Sequence, residues 1–131
     1  MKTESSLLVI EDDEPCADLL KYMLVREGFQ VSILADGLSA QNRIKIQRQP
    51  PGLVLMDLML PFVDGYQLLG QIRRKPEWTE TPVIILSAKM QEQDIVRAFE
   101  QGASDYVTKP FRLGELLARI RYRINSNRCH G

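Results

Sequence analysis

Five short apolar runs punctuate the chain, at residues 7–10, 29–34, 53–56, 83–86 and 106–107. The first, third and fourth are continuously apolar and partly β-branched, as strands buried on both faces of a parallel sheet are. The second alternates with polar residues and suits a sheet edge. Between the runs the apolar spacing becomes helical. Cys16, Leu19, Leu20, Met23 and Leu24 form one stripe, and Gly28 is placed to stop it. Ala40 and Ile44 mark a weaker helix over 38–48, closed by Pro50-Pro51-Gly52. Asp64 can cap a third helix carrying Leu68, Leu69 and Ile72 and broken by Pro76. Ile95, Ala98 and Phe99 form a fourth stripe ending at Gly102, and Leu113, Leu116, Leu117, Ile120 and Ile124 form the fifth.

Strand and helix thus alternate five times, which predicts an α/β fold: a doubly wound five-stranded parallel sheet with helices on both faces. Right-handed crossovers put every strand's C-terminal end on one edge. Ligands of such sheets bind beyond that edge, near the point where strand order reverses. Chemically capable residues should therefore gather where strands end, and they do. The first run leads into Glu11-Asp12-Asp13-Glu14, the third ends on Asp57, the fourth on Ser87-Ala88, and the fifth passes through Thr108 into Lys109-Pro110.

Asp57 follows four apolar residues, so its carboxylate belongs at the floor of a cleft near Glu11 and Asp12. Three carboxylates that close repel one another unless protonated or bound to a cation. A hard divalent ion answers this, and Mg²⁺ fits best, because it accepts one or two carboxylates and bridges to phosphate. A carboxylate can itself be a nucleophile and form an acyl phosphate. Phosphoryl transfer then needs charge neutralisation above all, for which Lys109 and the Ser87 hydroxyl are available beside the ion. Taken singly, Lys109 reads as an ordinary surface lysine and Ser87 as a strand-end cap. Lys109-Pro110, after the last strand, is also a place for a cis bond.

Length and composition narrow the setting. A chain of 131 residues, 44% hydrophobic and 26% charged, suits one globular domain with a packed core. That domain is expected over residues 1–124, with 125–131 a frayed C-terminal tail. Seventeen basic residues balance seventeen acidic ones, leaving no basic field for nucleic acid and no cationic face for a membrane. Cys16 and Cys129 make no disulfide framework and no metal pair, and read as free thiols in a reducing compartment. The apolar run at 7–10 is too short for a signal core or a membrane span. The expected location is cytoplasmic.

Four blocks in order resemble the response-regulator receiver family of two-component signalling. These are Leu7-Leu8-Val9-Ile10-Glu11-Asp12-Asp13, the segment from Leu55 through Asp57 to Gly65, Thr81 through Ser87-Ala88, and Gly102 through Lys109-Pro110-Phe111. The resemblance covers residues 7–124. The resemblance implies strand order 2-1-3-4-5 and Asp57 as the phosphoacceptor. It implies Glu11 and Asp12 as the acidic pair, with Asp12 the direct metal ligand and the Met59 backbone carbonyl completing a site for Mg²⁺ or Mn²⁺. Lys109 would hold the phosphoryl group, Ser87 would be the switch hydroxyl and Tyr106 the aromatic that changes rotamer. The family often has Asp where Glu11 stands and Thr where Ser87 stands, and both replacements keep the chemistry. The implied donor is a sensor histidine kinase or a phosphotransfer protein.

The implied output face is that of the fourth helix, fifth strand and fifth helix, with mixed charges that include Arg97, Asp105, Glu115, Arg119 and Arg123. Leu116-Leu117-Ala118-Arg119-Ile120-Arg121 resembles receivers of winged-helix transcription regulators, which implies a phosphorylation-enhanced homodimer. Other readings fare worse. An FMN binder needs glycines and hydroxyls in its first strand–helix loop to cradle phosphate, where this chain has four acids. An aspartyl phosphohydrolase would have an acid two residues past its nucleophile, where Met59 stands. A pure interaction module with a vestigial site would not keep Asp12, Asp57, Ser87 and Lys109 together. His130, beside Cys129, reads as a tail residue and not as a phosphorelay donor.

Overall fold

A computed structural model describes the backbone of residues 5–130 and the side chains of residues 5–126. The expectations for Cys129 and His130 therefore lie outside the described residues. The elements run β1 (Ser6–Ile10), α1 (Glu14–Arg26), β2 (Gln30–Leu34), α2 (Gly37–Ile46), β3 (Leu53–Met56), α3 (Gly65–Arg74), β4 (Val83–Ser87), α4 (Glu92–Glu100), β5 (Asp105–Thr108) and α5 (Leu113–His130). All strand pairs are parallel, in the order β2-β1-β3-β4-β5. This is the flavodoxin-like α/β architecture, with the expected edge position for β2.

The alternation of side chains along each strand divides the core in two. Leu8, Ile10, Val54, Met56, Val83 and Ile85 face α2, α3 and α4. Leu7, Val9, Leu53, Leu55, Ile84 and Leu86 face α1 and α5. Because β1, β3 and β4 are covered on both sides, period two disappears from their sequences and only continuous hydrophobicity remains. No helix among the described residues is long and apolar enough to cross a membrane.

Two local expectations need correction. Leu19 is 50% exposed. The buried positions of α1 are Ala17, Leu20 and Leu24, so the face on the sheet is turned toward Ala17 and away from Leu19. Phe99 is 46% exposed, and Ala98 is the buried residue of α4. A methyl group lets α4 approach the sheet where a ring would hold it off. The backbone of α5 runs to His130, past Ile124, the last residue of its apolar stripe. No glycine or proline interrupts residues 125–130, so helical geometry outlasts the apolar stripe.

Candidate functional site

The sheet carries its site residues by extending its ladders one step past the strands. Glu11 N–H donates to the Leu34 carbonyl at 3.0 Å, and Asp57 N–H donates to the Ile10 carbonyl at 3.0 Å. At the other side, Lys109 N–H donates to the Ser87 carbonyl at 2.9 Å. The strand order reverses between β1 and β3, so the acids after these two strands meet at the switch point. Past β3 the chain turns back on itself. Gly65 N–H donates to the Leu58 carbonyl at 2.9 Å, and a Cβ on Gly65 would lie only 2.6 Å from the Asp57 carbonyl oxygen. Glycine at this position lets the start of α3 close against the strand that carries Asp57.

Glu11, Asp12 and Asp57 each offer a carboxylate oxygen, all within 4.8 Å of one another. Glu11 is 2% exposed and Asp57 8%, while Asp12 is open to solvent. The Lys109 ammonium donates to Glu11 Oε1 at 2.7 Å and to Asp57 Oδ2 at 2.9 Å. Burial alone would lower the lysine's pKa, but these two hydrogen bonds and charges raise it above its usual value. One ammonium against three carboxylates leaves an excess of acidic groups. A divalent cation fits that excess and that donor set: oxygen ligands, two of them partly shielded and one facing water. The remaining Asp57 oxygen, Oδ1, accepts from Met59 N–H at 3.1 Å. The Lys109-Pro110 bond is cis.

Ser87 is fully buried, and its Oγ accepts from Lys89 N–H at 3.2 Å. The half-buried Tyr106 donates its hydroxyl to the Lys89 carbonyl at 2.8 Å. Burial, the larger cause, raises the Tyr106 pKa, and a hydrogen bond with Ser87 works against it. Ser87 and Tyr106 thus hold opposite sides of one peptide segment just beyond β4. Glu11, Asp12, Asp57 and Lys109 thus come together at this edge, and Ser87 and Tyr106 meet each other through Lys89.

The sequence reading missed Tyr66. Its ring is buried on α3, and its hydroxyl donates to the Asp94 carbonyl in the first turn of α4 at 3.1 Å. No local signature marks a contact 28 residues away. Beside Lys109, a groove of about 360 Å³ is lined by Cys16, Leu19, Met23, Pro110, Phe111 and Leu113. Leu19, displaced from the core, serves here. Burial first, and Glu11 next, push the Cys16 thiol up to about 11, so at neutral pH it is protonated and a poor nucleophile.

A family model for the response regulator receiver domain matches residues 7–121. The chain is 41% identical over 115 residues to the phosphate regulon transcriptional regulatory protein PhoB of Rhizobium meliloti (strain 1021), covering 88% of this chain and 50% of that protein. It is equally identical, over 115 residues, to the DNA-binding dual master transcriptional regulator RpaA of Synechocystis sp., covering 88% and 47%. The chain therefore spans about half the length of these relatives. Among solved structures it resembles the receiver domain of sensor histidine kinase PA1611 from Pseudomonas aeruginosa, which has a magnesium ion coordinated in its active site cleft. That match has 31% identity and a TM-score of 0.83, covering 92% of this chain and 97% of the other.

Proposed function

The chain belongs to the response regulator receiver domain family, a family of signalling phosphoacceptors, and from that premise we propose that Asp57 is the residue it phosphorylates. The observation that carries this reading is the Lys109 ammonium bridging Glu11 and Asp57 at the edge of a three-carboxylate cluster. Such a bridge holds the nucleophile oriented before any phosphoryl group arrives.

An Asp57 carboxylate oxygen attacks the phosphorus of a phosphohistidine. The new O–P bond forms in line as the N–P bond breaks, and the imidazole departs with the electron pair. Asp12, Asp57 and the Met59 carbonyl, with Glu11 behind them, are the residues to hold Mg²⁺ or Mn²⁺. The ion supplies neutralisation of charge on the phosphoryl oxygens. Lys109 supplies the rest by exchanging a carboxylate partner for a phosphoryl oxygen. The donor is a sensor histidine kinase or a phosphotransfer protein, and the apolar groove against Lys109 is suited to seat it beside the cleft.

Once phosphorylated, the site draws the Ser87 hydroxyl inward, away from Lys89 N–H. Tyr106 then loses its reason to stay on the Lys89 carbonyl and turns into the space left behind. The two positions form an equilibrium that the phosphoryl contacts bias. The face that changes is α4–β5–α5, where Val96 and Phe99 are exposed and Arg119 pairs with Asp105 at 3.0 Å. A phosphorylation-enhanced homodimer through this face, a transcriptional output and a cytoplasmic location complete the proposal. The balanced charge of the domain argues against direct contact with nucleic acid.

Incubation with acetyl phosphate and Mg²⁺, followed by intact mass, tests the acceptor. A gain of one phosphoryl group that disappears without Mg²⁺ and in Asp57→Asn is expected. Equal phosphorylation of Asp57→Asn would remove Asp57 from the role.

A further inference from the structure

Away from the acidic edge, α3 and α4 enclose a second concavity of about 240 Å³, lined by Tyr66, Gln67, Gln71, Arg74, Arg97 and Gln101 around Gly70. Its charged lining is entirely cationic, in a chain whose net charge is zero. Among the described residues neither Arg74 nor Arg97 makes an ion pair. Arg73, on the same helix as Arg74, shows the contrast: its guanidinium donates to the carbonyls of Gly102, Thr79 and Thr81. The nearby Asp94 carboxylate is turned to Lys89, at 3.8 Å, and does not line the concavity.

The two guanidiniums are held in different ways. Arg97 lies 3.8 Å over the centre of the Tyr66 ring, a cation–π stack on an aromatic that is itself buried and tied to Asp94. Arg74 lies close against the backbone of its own helix. A Cβ on Gly70 would stand 3.1 Å from Arg74 Nη1 and 3.7 Å from Gln101 Oε1. A glycine inside a helix is destabilising relative to alanine, and here its missing side chain is the room that Arg74 occupies.

We propose that this concavity between α3 and α4 binds a small doubly charged oxyanion, a phosphate or dicarboxylate group of a metabolite, between Arg74 and Arg97. The planar forks of the two guanidiniums match such oxygens in bidentate fashion, and the three glutamine amides supply further N–H donors. The size decides the class, since pockets for drug-sized ligands run from about 300 to 1,000 Å³. This one lies below that range and suits a phosphate or a short diacid. Because Arg97 and the Asp94 carbonyl held by Tyr66 both belong to α4, the bound anion would tie α4 to α3. It would oppose movement of α4 without touching Asp57.

The test is a titration of the whole chain, with Asp57→Asn as background and no divalent cation, followed by amide NMR at Gly70 and Arg97. Inorganic phosphate and succinate are the two probes, with chloride at matched ionic strength as the control. Saturable shifts for either probe, weakened about tenfold or more in Arg74→Gln and again in Arg97→Gln, are expected; tenfold is the loss of one charge-assisted contact. The choice between the probes identifies phosphate or carboxylate as the natural group. Shifts that match chloride, or that survive both substitutions, would overturn the proposal. So would saturation by a glutamate-rich peptide with no response to either small ion, which would make the concavity a protein-docking site instead. The Gly70 and Arg97 signals in each folded variant guard against reading loss of structure as loss of binding.

Discussion

Helices α3 and α4 are neighbours of similar length, yet they are attached to the molecule in opposite ways. α3 buries Tyr66, Leu68, Leu69 and Ile72 and opens with a reciprocal capping box between Asp64 and Gln67. Around its C-terminal end, Arg73 reaches the Gly102 and Thr81 carbonyls, and Lys75 donates to the carbonyls of Ile44, Lys45 and Gln47 at the end of α2. Trp78, fully buried, adds an indole N–H to the Gln47 carbonyl at 2.7 Å. α4 buries only Ala98, and its N-cap, Gln91, makes no side-chain hydrogen bond. What holds its beginning are two tyrosine hydroxyls, from Tyr106 to Lys89 and from Tyr66 to Asp94. The difference suits the proposed switch, in which α3 is the platform that fixes the loop after Asp57 and α4 is the element that a small change at Ser87 would release.

The largest expected effect that would sharpen this comparison is in the core. Leu69→Ala should cost about 2–5 kcal/mol of unfolding free energy, as large-to-small core changes do. Phe99→Ala on α4 should stay within about 0.5 kcal/mol, as exposed positions do. Urea titrations that gave both the same cost would break the contrast. At the helix starts, Asp64→Ala should lose about 1 kcal/mol through its cap, whereas Gln91→Ala should leave the urea midpoint unmoved. Most local are the hydroxyls. Tyr66→Phe or Tyr106→Phe should each remove about 0.5–1.5 kcal/mol, read as faster amide exchange in α4 with α3 unchanged. Faster exchange in both helices alike would mean that the tyrosines stabilise the domain as a whole and do not latch α4.

Much of this could be read before any coordinates, for a physical reason. Strands covered on both faces become unbroken apolar runs, and the parallel sheet brings residues as distant as Glu11 and Lys109 to one edge, so Asp12, Asp57 and Ser87 stood out by position. Even β5 showed through two residues, Tyr106 and Val107, because Lys109 follows so closely. Strand order came with the family resemblance, since periodicity does not encode which strands are neighbours. Leu19 and Phe99 were misassigned because a wide apolar stripe does not say which part of it meets the sheet, and small residues, Ala17 and Ala98, took the contact. The clamps made by Arg73, Lys75, Trp78 and Tyr66 left no trace. They satisfy backbone carbonyls across the fold, and a carbonyl is carried by every residue alike.

The most direct test is backbone hydrogen exchange on the chain before and after phosphorylation with acetyl phosphate and Mg²⁺, run in parallel on Asp57→Asn. The expected result is a change confined to the segment from Ser87 through α4 and to Tyr106, with α3 amides unmoved and the Asp57→Asn chain unresponsive. A response shared equally by α3 and α4, or one that persists in Asp57→Asn, would contradict a switch in which phosphorylation of Asp57 is relayed through Ser87 and Tyr106 to α4.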